Sequence, residues 1–359
     1  MHVPDGFINT PVSVAAGVVA AAAVAVSLRG ARRELGGLSQ AGGPGGERTA
    51  PLAGLVAAFI FAVQMLNFPV AAGTSGHLLG GALAAVLVGP YTGVLCVSVV
   101  LLMQGILFAD GGLTALGVNI TVMGVVTVVI AYGVFRGLLK VLPAGRRSVT
   151  VAAFAGALLS VPGAAAAFTA VYAVGGTTDV PLGKVLTAMV GVHVLIGIGE
   201  AAITAATVGA VIAVRPDLVH GARGLTTRLK LRIGGELVDA PAPAASPVAA
   251  RSTTAVWATG LVTALVLAGV VSFYASASPD GLEKVAADQG IDQKVEEHAA
   301  KDSPLADYAV KDVADARLSG GLAGALGVGA TVAVGTGVFW VVRRRANAAD
   351  ATGAEPSAV

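Results

Sequence analysis

The chain is poor in cysteine, in charged residues and in aromatic side chains. Its single cysteine, Cys96, lies in an apolar run, so no disulfide can form within the chain. Charged residues account for 12% and aromatic residues for 5% of the 359 positions. The phosphate-loop sequence G-x-x-x-x-G-K-[ST] does not occur, which excludes ATP hydrolysis through a loop of that kind.

Long hydrophobic runs are what the sequence has in excess, and its mean hydropathy is +0.81. About 20 apolar residues are needed for a helix to cross a bilayer. The runs do not alternate with polar residues, and 49 glycines suit close helix packing. We therefore predict an all-α, polytopic membrane protein in contact with lipid, with no nucleic-acid partner. Its spans are expected at about residues 11–28, 52–67, 77–88, 91–108, 116–135, 149–174, 184–214, 255–274 and 320–342.

Basic residues predict the orientation of these spans. They follow the first, fifth and seventh spans, and Arg343-Arg344-Arg345 follows the ninth. Positive residues near the ends of spans mark the cytoplasmic side. We expect a multi-pass protein of the cell membrane, with an extracytoplasmic N-terminus and a cytoplasmic C-terminus.

Composition divides the chain into two membrane modules. Residues 1–232 hold seven predicted spans, and residues 233–254 form a linker rich in Ala and Pro. Residues 255–342 hold two further spans around an extracytoplasmic loop, 275–317, in which ten acidic side chains outnumber five basic ones. Residues 343–359 are small and polar and are predicted to form a cytoplasmic tail without a fixed fold.

The first two residues, Met1 and His2, carry the most specific chemical signal. No charged leader or small-residue cleavage site is present, so we expect Met1 to keep a free α-amine. The amine, the His2 amide nitrogen and the His2 imidazole can close a five- and a six-membered chelate ring in one plane. Ni(II) and Cu(II) favour that square arrangement, which leaves one corner for a ligand from elsewhere in the fold.

Several separated motifs are similar to those of one family. They are Met1-His2-Val3-Pro4-Asp5-Gly6-Phe7, Asn67-Phe68-Pro69-Val70, Gly73-Thr74-Ser75-Gly76-His77-Leu78-Leu79-Gly80, Asp110-Gly111-Gly112-Leu113-Thr114-Ala115-Leu116-Gly117 and Gly191-Val192-His193. Together they resemble the CbiM/NikM family, the substrate-capture membrane subunits of energy-coupling-factor (ECF) importers for cobalt and nickel. Pro279-Asp280-Gly281-Leu282-Glu283 in the second module resembles the PDGLE or NikN-type accessory subunit.

The resemblance implies a seven-helix ECF S-component core with a two-helix C-terminal module. It also implies a metal held in a near-square plane by the Met1 amine, the His2 amide nitrogen and imidazole, and the imidazole of His77. The ion, Ni2+ or Co2+, would be a transported substrate and not a catalytic cofactor. The implied partners are an ECF transmembrane coupling subunit and cytoplasmic ATPase subunits.

Other polar residues near these motifs are candidates for supporting roles. Metal-bound histidine usually donates its second N–H to a partner, and four residues could supply such contacts: Asn67, Thr74, Ser75 and Asn119. His193 and Glu200 share one helix face, which suits support of the metal ligands, proton release or a structural hydrogen bond. A loop-capping role is predicted for Asp110, exposed positions for His220 and His298, and a core position for Cys96.

Two other functions compete with a capture subunit. An autonomous secondary permease needs ionisable groups along a path across several spans, and His193 with Glu200 makes only a short relay. A membrane metalloenzyme needs an open coordination position, which four nitrogen donors do not leave in the plane. We therefore expect a non-enzymatic metal transporter, with nickel favoured over cobalt because amide deprotonation suits Ni(II) better.

Overall fold

The computed structural model describes residues 1–36, 49–71, 73–223, 230–233, 236–239 and 253–352. Helices dominate, as the apolar runs predict. The helices are α1 (Thr10–Gly36), α2 (Thr49–Gln64), α3 (Gly81–Val88), α4 (Pro90–Leu107), α5 (Leu116–Asn119), α6 (Thr127–Val141), α7 (Arg146–Gly175), α8 (Leu182–Val214), α9 (Thr254–Gly269), α10 (Gly281–Gln289) and α11 (Ala316–Thr352).

Shorter elements connect these helices. A π-helix, Ile120–Val126, joins α5 to α6 without a break, and short 3-10 turns cover Pro216–Leu218, His220–Ala222, Val271–Tyr274, Asp292–Lys294 and Ala306–Tyr308. Two antiparallel hairpins complete the fold. The strands are β1 (Phe68–Ala71) with β2 (Thr74–Gly76), and β3 (Lys230–Ile233) with β4 (Glu236–Asp239).

The predicted all-α membrane fold is confirmed, but two predicted spans are short. Among the described residues, seven helices are long and apolar enough to cross a membrane. The other two predicted spans are α2, with 16 residues, and α3, with 8. Residues 81–87 of α3 are all buried, so protein and not lipid surrounds this helix. Such an element need not match the bilayer thickness.

The break between α2 and α3 forms the β1–β2 hairpin. His77 was expected to open the third span, but the helix begins at Gly81. The backbone at Gly80 has a φ of +86°, in the left-handed region that favours glycine, and the chain turns there. His77 therefore lies on extended backbone between the hairpin and α3, buried inside the bundle.

The C-terminal module packs directly on the first module. Helix α11 lies along α2, and a Cβ added at Gly54 would come within 2.3 Å of the Thr336 hydroxyl. Small residues thus let the two helices approach closely. The helix continues to Thr352, beyond the start of the predicted tail at residue 343, and β4 lies inside the predicted linker. Residues 240–252 of that linker lie outside the described part of the chain.

Candidate metal centre

The N-terminal segment is buried between loops on one side of the bundle. Met1, Val3 and Phe7 are each at most 2% exposed. Asn9 donates its backbone N–H to the Gly175 carbonyl at 2.7 Å, which ties the segment to the end of α7. Gly6 has a φ of +87°, and a Cβ there would lie 2.0 Å from the Lys294 carbonyl oxygen. Only glycine fits this crossing with the C-terminal module.

Asp5 joins the N-terminal segment to the loop before α5. Its carboxylate accepts the backbone N–H of Thr114 at 2.8 Å and the Thr114 hydroxyl at 2.5 Å. The Gly112 N–H donates to the Val3 carbonyl at 2.9 Å, and a Cβ at Gly112 would lie 2.3 Å from the Asp5 nitrogen. The two glycine-containing motifs, around Asp5 and around Gly112, therefore fit against each other.

Asn119 fixes the backbone one residue beyond His2. Its side-chain Oδ1 accepts the Val3 N–H at 2.8 Å, and its Nδ2 donates to the Val3 carbonyl at 3.1 Å. Asn119 is the last residue of α5, immediately before the π-helix. π-helical turns inside longer helices are frequent at functional sites. The predicted supporting role of Asn119 thus acts on the backbone and not on an imidazole.

The Met1 amine meets a histidine and a carboxylate from two different parts of the chain. It lies 2.7 Å from His77 Nε2 and donates to Asp280 Oδ2 at 2.6 Å. His77 Nδ1 lies 3.0 Å from the Leu78 carbonyl, so its Nε2 faces the amine. Asp280 Oδ2 is also 3.5 Å from His77 Nε2. Two side chains from distant segments therefore converge at the Met1 amine.

The His2 ring completes this cluster. It stacks on the His77 ring with centroids 5.1 Å apart and an angle of 17° between the planes. Its Nδ1 lies 3.2 Å from Asp110 Oδ1, and its Nε2 lies 3.1 Å from Gln104 Oε1. One possible ligand atom from each of His2, His77 and Asp280 lies within 4.8 Å of the other two.

Glu200 holds the turn that carries His77. Its two carboxylate oxygens accept the backbone N–H groups of Leu79, at 2.6 Å, and Gly80, at 3.1 Å. These bonds satisfy two donors that would otherwise be buried without partners. His193, on the same helix, donates from Nδ1 to the Met189 carbonyl at 2.7 Å. Neither His193 nor Glu200 contacts the Met1 amine directly.

Asp280 is a functional candidate that the sequence reasoning missed. It caps helix α10: its Oδ1 accepts the N–H groups of Leu282 and Glu283 at 2.7 and 2.9 Å. Ser75 in β2 fixes the preceding turn through hydrogen bonds from its N–H to the Pro279 carbonyl, at 2.8 Å, and from its hydroxyl to the Ser278 carbonyl, at 2.7 Å. The signal was present in Pro279-Asp280-Gly281-Leu282-Glu283, whose Asp-x-x-Glu spacing is that of a capping box.

The loop between α9 and α11 of the second module covers this cluster. The Tyr308 hydroxyl donates to Asp110 Oδ2 at 2.6 Å, and its ring stacks on Phe108 at 4.8 Å. His298 Nε2 lies 3.2 Å from the Gly111 carbonyl. The predictions for Asp110 and His298 were therefore wrong: Asp110 bridges His2 to Tyr308, and His298 packs on the loop beside His2.

The other predicted supporting residues lie near the cluster but contact the module instead of the imidazoles. The Asn67 carbonyl accepts the Ser276 N–H at 2.7 Å, and the Asn67 side chain borders the cavity beside the cluster. Thr74 and Ser75 are buried in β2. His220 was predicted to be exposed but is partly buried near Tyr132, away from the cluster, and Cys96 is buried in the core as predicted.

A cavity of about 660 Å3 opens next to the cluster. It is bordered by His2, His77, Asp110, Asp280, Asp307 and Tyr308. Burial lowers the pKa of His2 from 6.5 to about 4, against the opposing effect of Asp110. Burial also opposes ionisation of Asp280, but the Met1 ammonium and His77 outweigh it and hold the pKa of Asp280 well below its usual range. The cluster thus pairs a neutral imidazole with a carboxylate.

Comparison with known proteins matches both modules. The sequence model described as "CbiM: Cobalt uptake substrate-specific transmembrane region" matches residues 2–218, and that of the PDGLE domain matches residues 254–344. The chain is 40% identical to a putative metal transport protein of Haloquadratum walsbyi, over 61% of this chain and 93% of that protein. It is 37% identical to a putative fused nickel transport protein NikMN of Archaeoglobus fulgidus, over 61% of this chain and 68% of that protein.

A solved structure entitled a truncated transition metal transporter aligns with a TM-score of 0.49 at 24% identity, covering 59% of this chain and 99% of that one.

Proposed function

This chain belongs to the CbiM family, and from that premise we propose that it captures Ni2+ or Co2+ at its own N-terminus on the extracytoplasmic side. It is a multi-pass membrane protein for nickel or cobalt transport. The observation that carries the proposal is the 2.7 Å approach of the Met1 amine to His77 Nε2. Residues 76 positions apart bring together two of the nitrogen donors that the chelate needs.

The remaining donors belong to His2. Its amide nitrogen follows the Met1 amine in the chain, and its ring already stacks on that of His77. The Val3 backbone is held by Asn119 and Gly112, so the peptide before it has little freedom to leave the site. An ion that uses His2 Nδ1 takes this nitrogen from Asp110. Metal binding would therefore replace the contact between His2 Nδ1 and Asp110.

Four nitrogen donors in one plane favour Ni2+ over Co2+. A square, nitrogen-rich site that includes a deprotonated amide suits d8 ions. The relative from Archaeoglobus fulgidus, which is named a nickel transport protein, is similar to this chain over 68% of its own length. Nickel is thus the substrate proposed first, with cobalt as the competing ion.

Energy for import would come from other subunits. The chain contains no phosphate-loop sequence of the Walker type, so we assign ATP hydrolysis to separate cytoplasmic ATPase subunits and contact with them to an ECF transmembrane coupling subunit. Basic residues mark the cytoplasmic side in this proposal: they lie near the C-terminal ends of α1 and α6, after α8, and inside α11 at Arg343-Arg344-Arg345.

Metal content and dependence on partners test the proposal together. Purified full-length protein should retain close to one nickel or cobalt ion per chain after equilibration with the metal and gel filtration. In vesicles, ATP-dependent uptake should require the added ATPase and coupling subunits. Uptake by the chain alone, driven by an ion gradient, would instead identify an autonomous permease. Metal-dependent turnover of a chemical substrate would identify an enzyme.

A further inference from the structure

The C-terminal module contributes a side chain to the centre of the capture site. Asp280 comes from the loop between α9 and α11, more than 200 residues from His77 in the chain. Its side chain is only 10% exposed, and its Oδ2 lies 2.6 Å from the Met1 amine. This places a carboxylate of the module among the proposed nitrogen ligands.

Helix α10 fixes the orientation of that carboxylate. Oδ1 accepts two backbone N–H groups at the start of the helix, while the Glu283 side chain accepts the Asp280 N–H at 2.9 Å. The second oxygen, Oδ2, is left to point at Met1 and His77. Gly281 packs against α8 so closely that a Cβ would lie 3.0 Å from His193 Cε1. The carboxylate therefore cannot swing away without unpacking α10.

We propose that Asp280 is the first protein ligand of the arriving cation, with His2 and His77, and that it hands the ion to the N-terminal nitrogens. The inference rests on the proposed function and names the residue through which the second module takes part in capture.

The protonation of the metal-free site supports this order of events. The Met1 amine donates a hydrogen bond to Asp280, and a nitrogen that uses its lone pair for a proton cannot bind a metal. The His2 amide carries a proton as well, and its nitrogen can bind a metal only after that proton is lost. Asp280 Oδ2 and His77 Nε2, by contrast, only accept hydrogen bonds from the amine, so each has a lone pair that carries no proton and can pass from that hydrogen bond to the ion. Carboxylate oxygens are ordinary ligands for hydrated divalent ions.

Each bond in the transfer is accounted for. The ion exchanges bound water for Asp280 Oδ2 and the imidazoles, which removes the acceptor of the amine's hydrogen bond. The Met1 ammonium and the His2 amide then each lose one proton to water in the adjoining cavity, and both nitrogens bind the ion. The bond to Asp280 Oδ2 breaks as the fourth nitrogen binds. No oxidant or reductant is involved.

The rate of metal binding tests this role. In full-length protein in detergent, Asp280→Asn keeps a good helix cap and removes the charged oxygen. Stopped-flow mixing with Ni2+ should show an association rate at least tenfold lower than in the parent protein, with the same final absorption spectrum. Asp307→Asn is the matched control, because Asp307 borders the same cavity and loses the same charge. Its association rate should stay within about twofold of the parent rate, by analogy with a screened surface charge.

A thiolate at the same position gives a second, spectroscopic readout of the first contact. In stopped-flow mixing with Ni2+, Asp280→Cys should produce a transient sulfur-to-metal charge-transfer band in the near ultraviolet, which decays as the ion passes to the four nitrogens. Asp307→Cys and the parent protein, in which Cys96 is buried, should not. A parental association rate in Asp280→Asn, an equal slowing in Asp307→Asn, or no band in Asp280→Cys would each overturn the role of Asp280. If an Ala inserted between Met1 and His2 left Ni2+ affinity unchanged, the nitrogen site itself would fail, which separates the two outcomes.

Discussion

Asn119 pairs with both backbone groups of Val3, accepting from its N–H at 2.8 Å and donating to its carbonyl at 3.1 Å. The side chain thereby mimics a neighbouring strand and sets the position of the residue that follows His2. Because three of the four proposed ligand nitrogens belong to Met1 and His2, a shift of the Val3 backbone would move all three. The proposed metal site thus depends on Asn119, which is not itself a proposed ligand.

Loss of the two hydrogen bonds between Asn119 and Val3 should weaken metal binding without unfolding the protein. Asn119→Ala is expected to lower Ni2+ affinity by about 10- to 100-fold, the range typical of groups that orient ligands. Titration calorimetry measures the change. Thr121→Val is the control, because the Thr121 hydroxyl has no hydrogen-bond partner in the described part of the chain. Equal affinities for the Asn119 variant and the parent would remove Asn119 from the account.

His77 should be the most sensitive side chain outside the N-terminal segment. His77→Ala removes the nitrogen that lies 2.7 Å from the Met1 amine, and we expect at least a tenfold loss of Ni2+ affinity. His220→Ala is a matched histidine control, since His220 lies near Tyr132 and away from the cluster. If the two variants bind Ni2+ alike, His77 is not a ligand.

Acid should destabilise the metal-free protein partly through His2. Burial lowers the pKa of His2 from 6.5 to about 4, so the folded state binds its proton less readily than the unfolded state. The resulting stability is fully present above about pH 6.5 and is lost as the pH falls towards 4. Thermal unfolding with a chelator present should therefore show a smaller drop between pH 7 and pH 5 in His2→Gln than in the parent. Identical drops would mean that His2 is not buried as described.

The hydrogen bond between Tyr308 and Asp110 should keep the bound ion from leaving. Tyr308→Phe removes a 2.6 Å bond to the carboxylate beside His2 and loosens the loop that covers the cluster. A buried hydrogen bond to a charged group is worth about 1.5–3 kcal/mol, so dissociation of Ni2+ should become about ten- to a hundredfold faster. Tyr274→Phe, at a residue 80% exposed, is the control. Equal dissociation rates in chelator-chase measurements would exclude a role for the loop in retention.

Local chemistry explains which parts of the site could be predicted from the sequence. Met1 and His2 are consecutive, so their chelate follows from covalent geometry. The length of the apolar runs predicts the helices that span the membrane. His77 entered through the family motif around it. The β1–β2 hairpin was visible only as a polar break, because its two strands are shorter than the periodicity that reveals a strand.

Asp110 and Asp280 could not be placed by such reasoning. Each is an acidic residue beside glycine in a loop, and its sequence neighbours predict a cap or a turn. Asp280 is a cap, but only the packing of α10 on α8 and β2 aims its second oxygen at Met1. In the same way, Asp110 reaches His2 because Tyr308 and Phe108 hold the covering loop in place. Contacts between distant segments decide these roles, and no local pattern records them.

The central claim is that the chain's first nitrogen binds the transported ion, and one insertion tests it most directly. An Ala placed between Met1 and His2 keeps every side chain, leaves the helices unchanged and enlarges the chelate. Full-length inserted protein, shown by mass spectrometry to start at Met1 and by thermal unfolding to be folded, should retain no nickel or cobalt after gel filtration. The parent protein and a variant tagged after Val359 should retain it. If the inserted protein binds nickel with the parental affinity, the N-terminal site is contradicted.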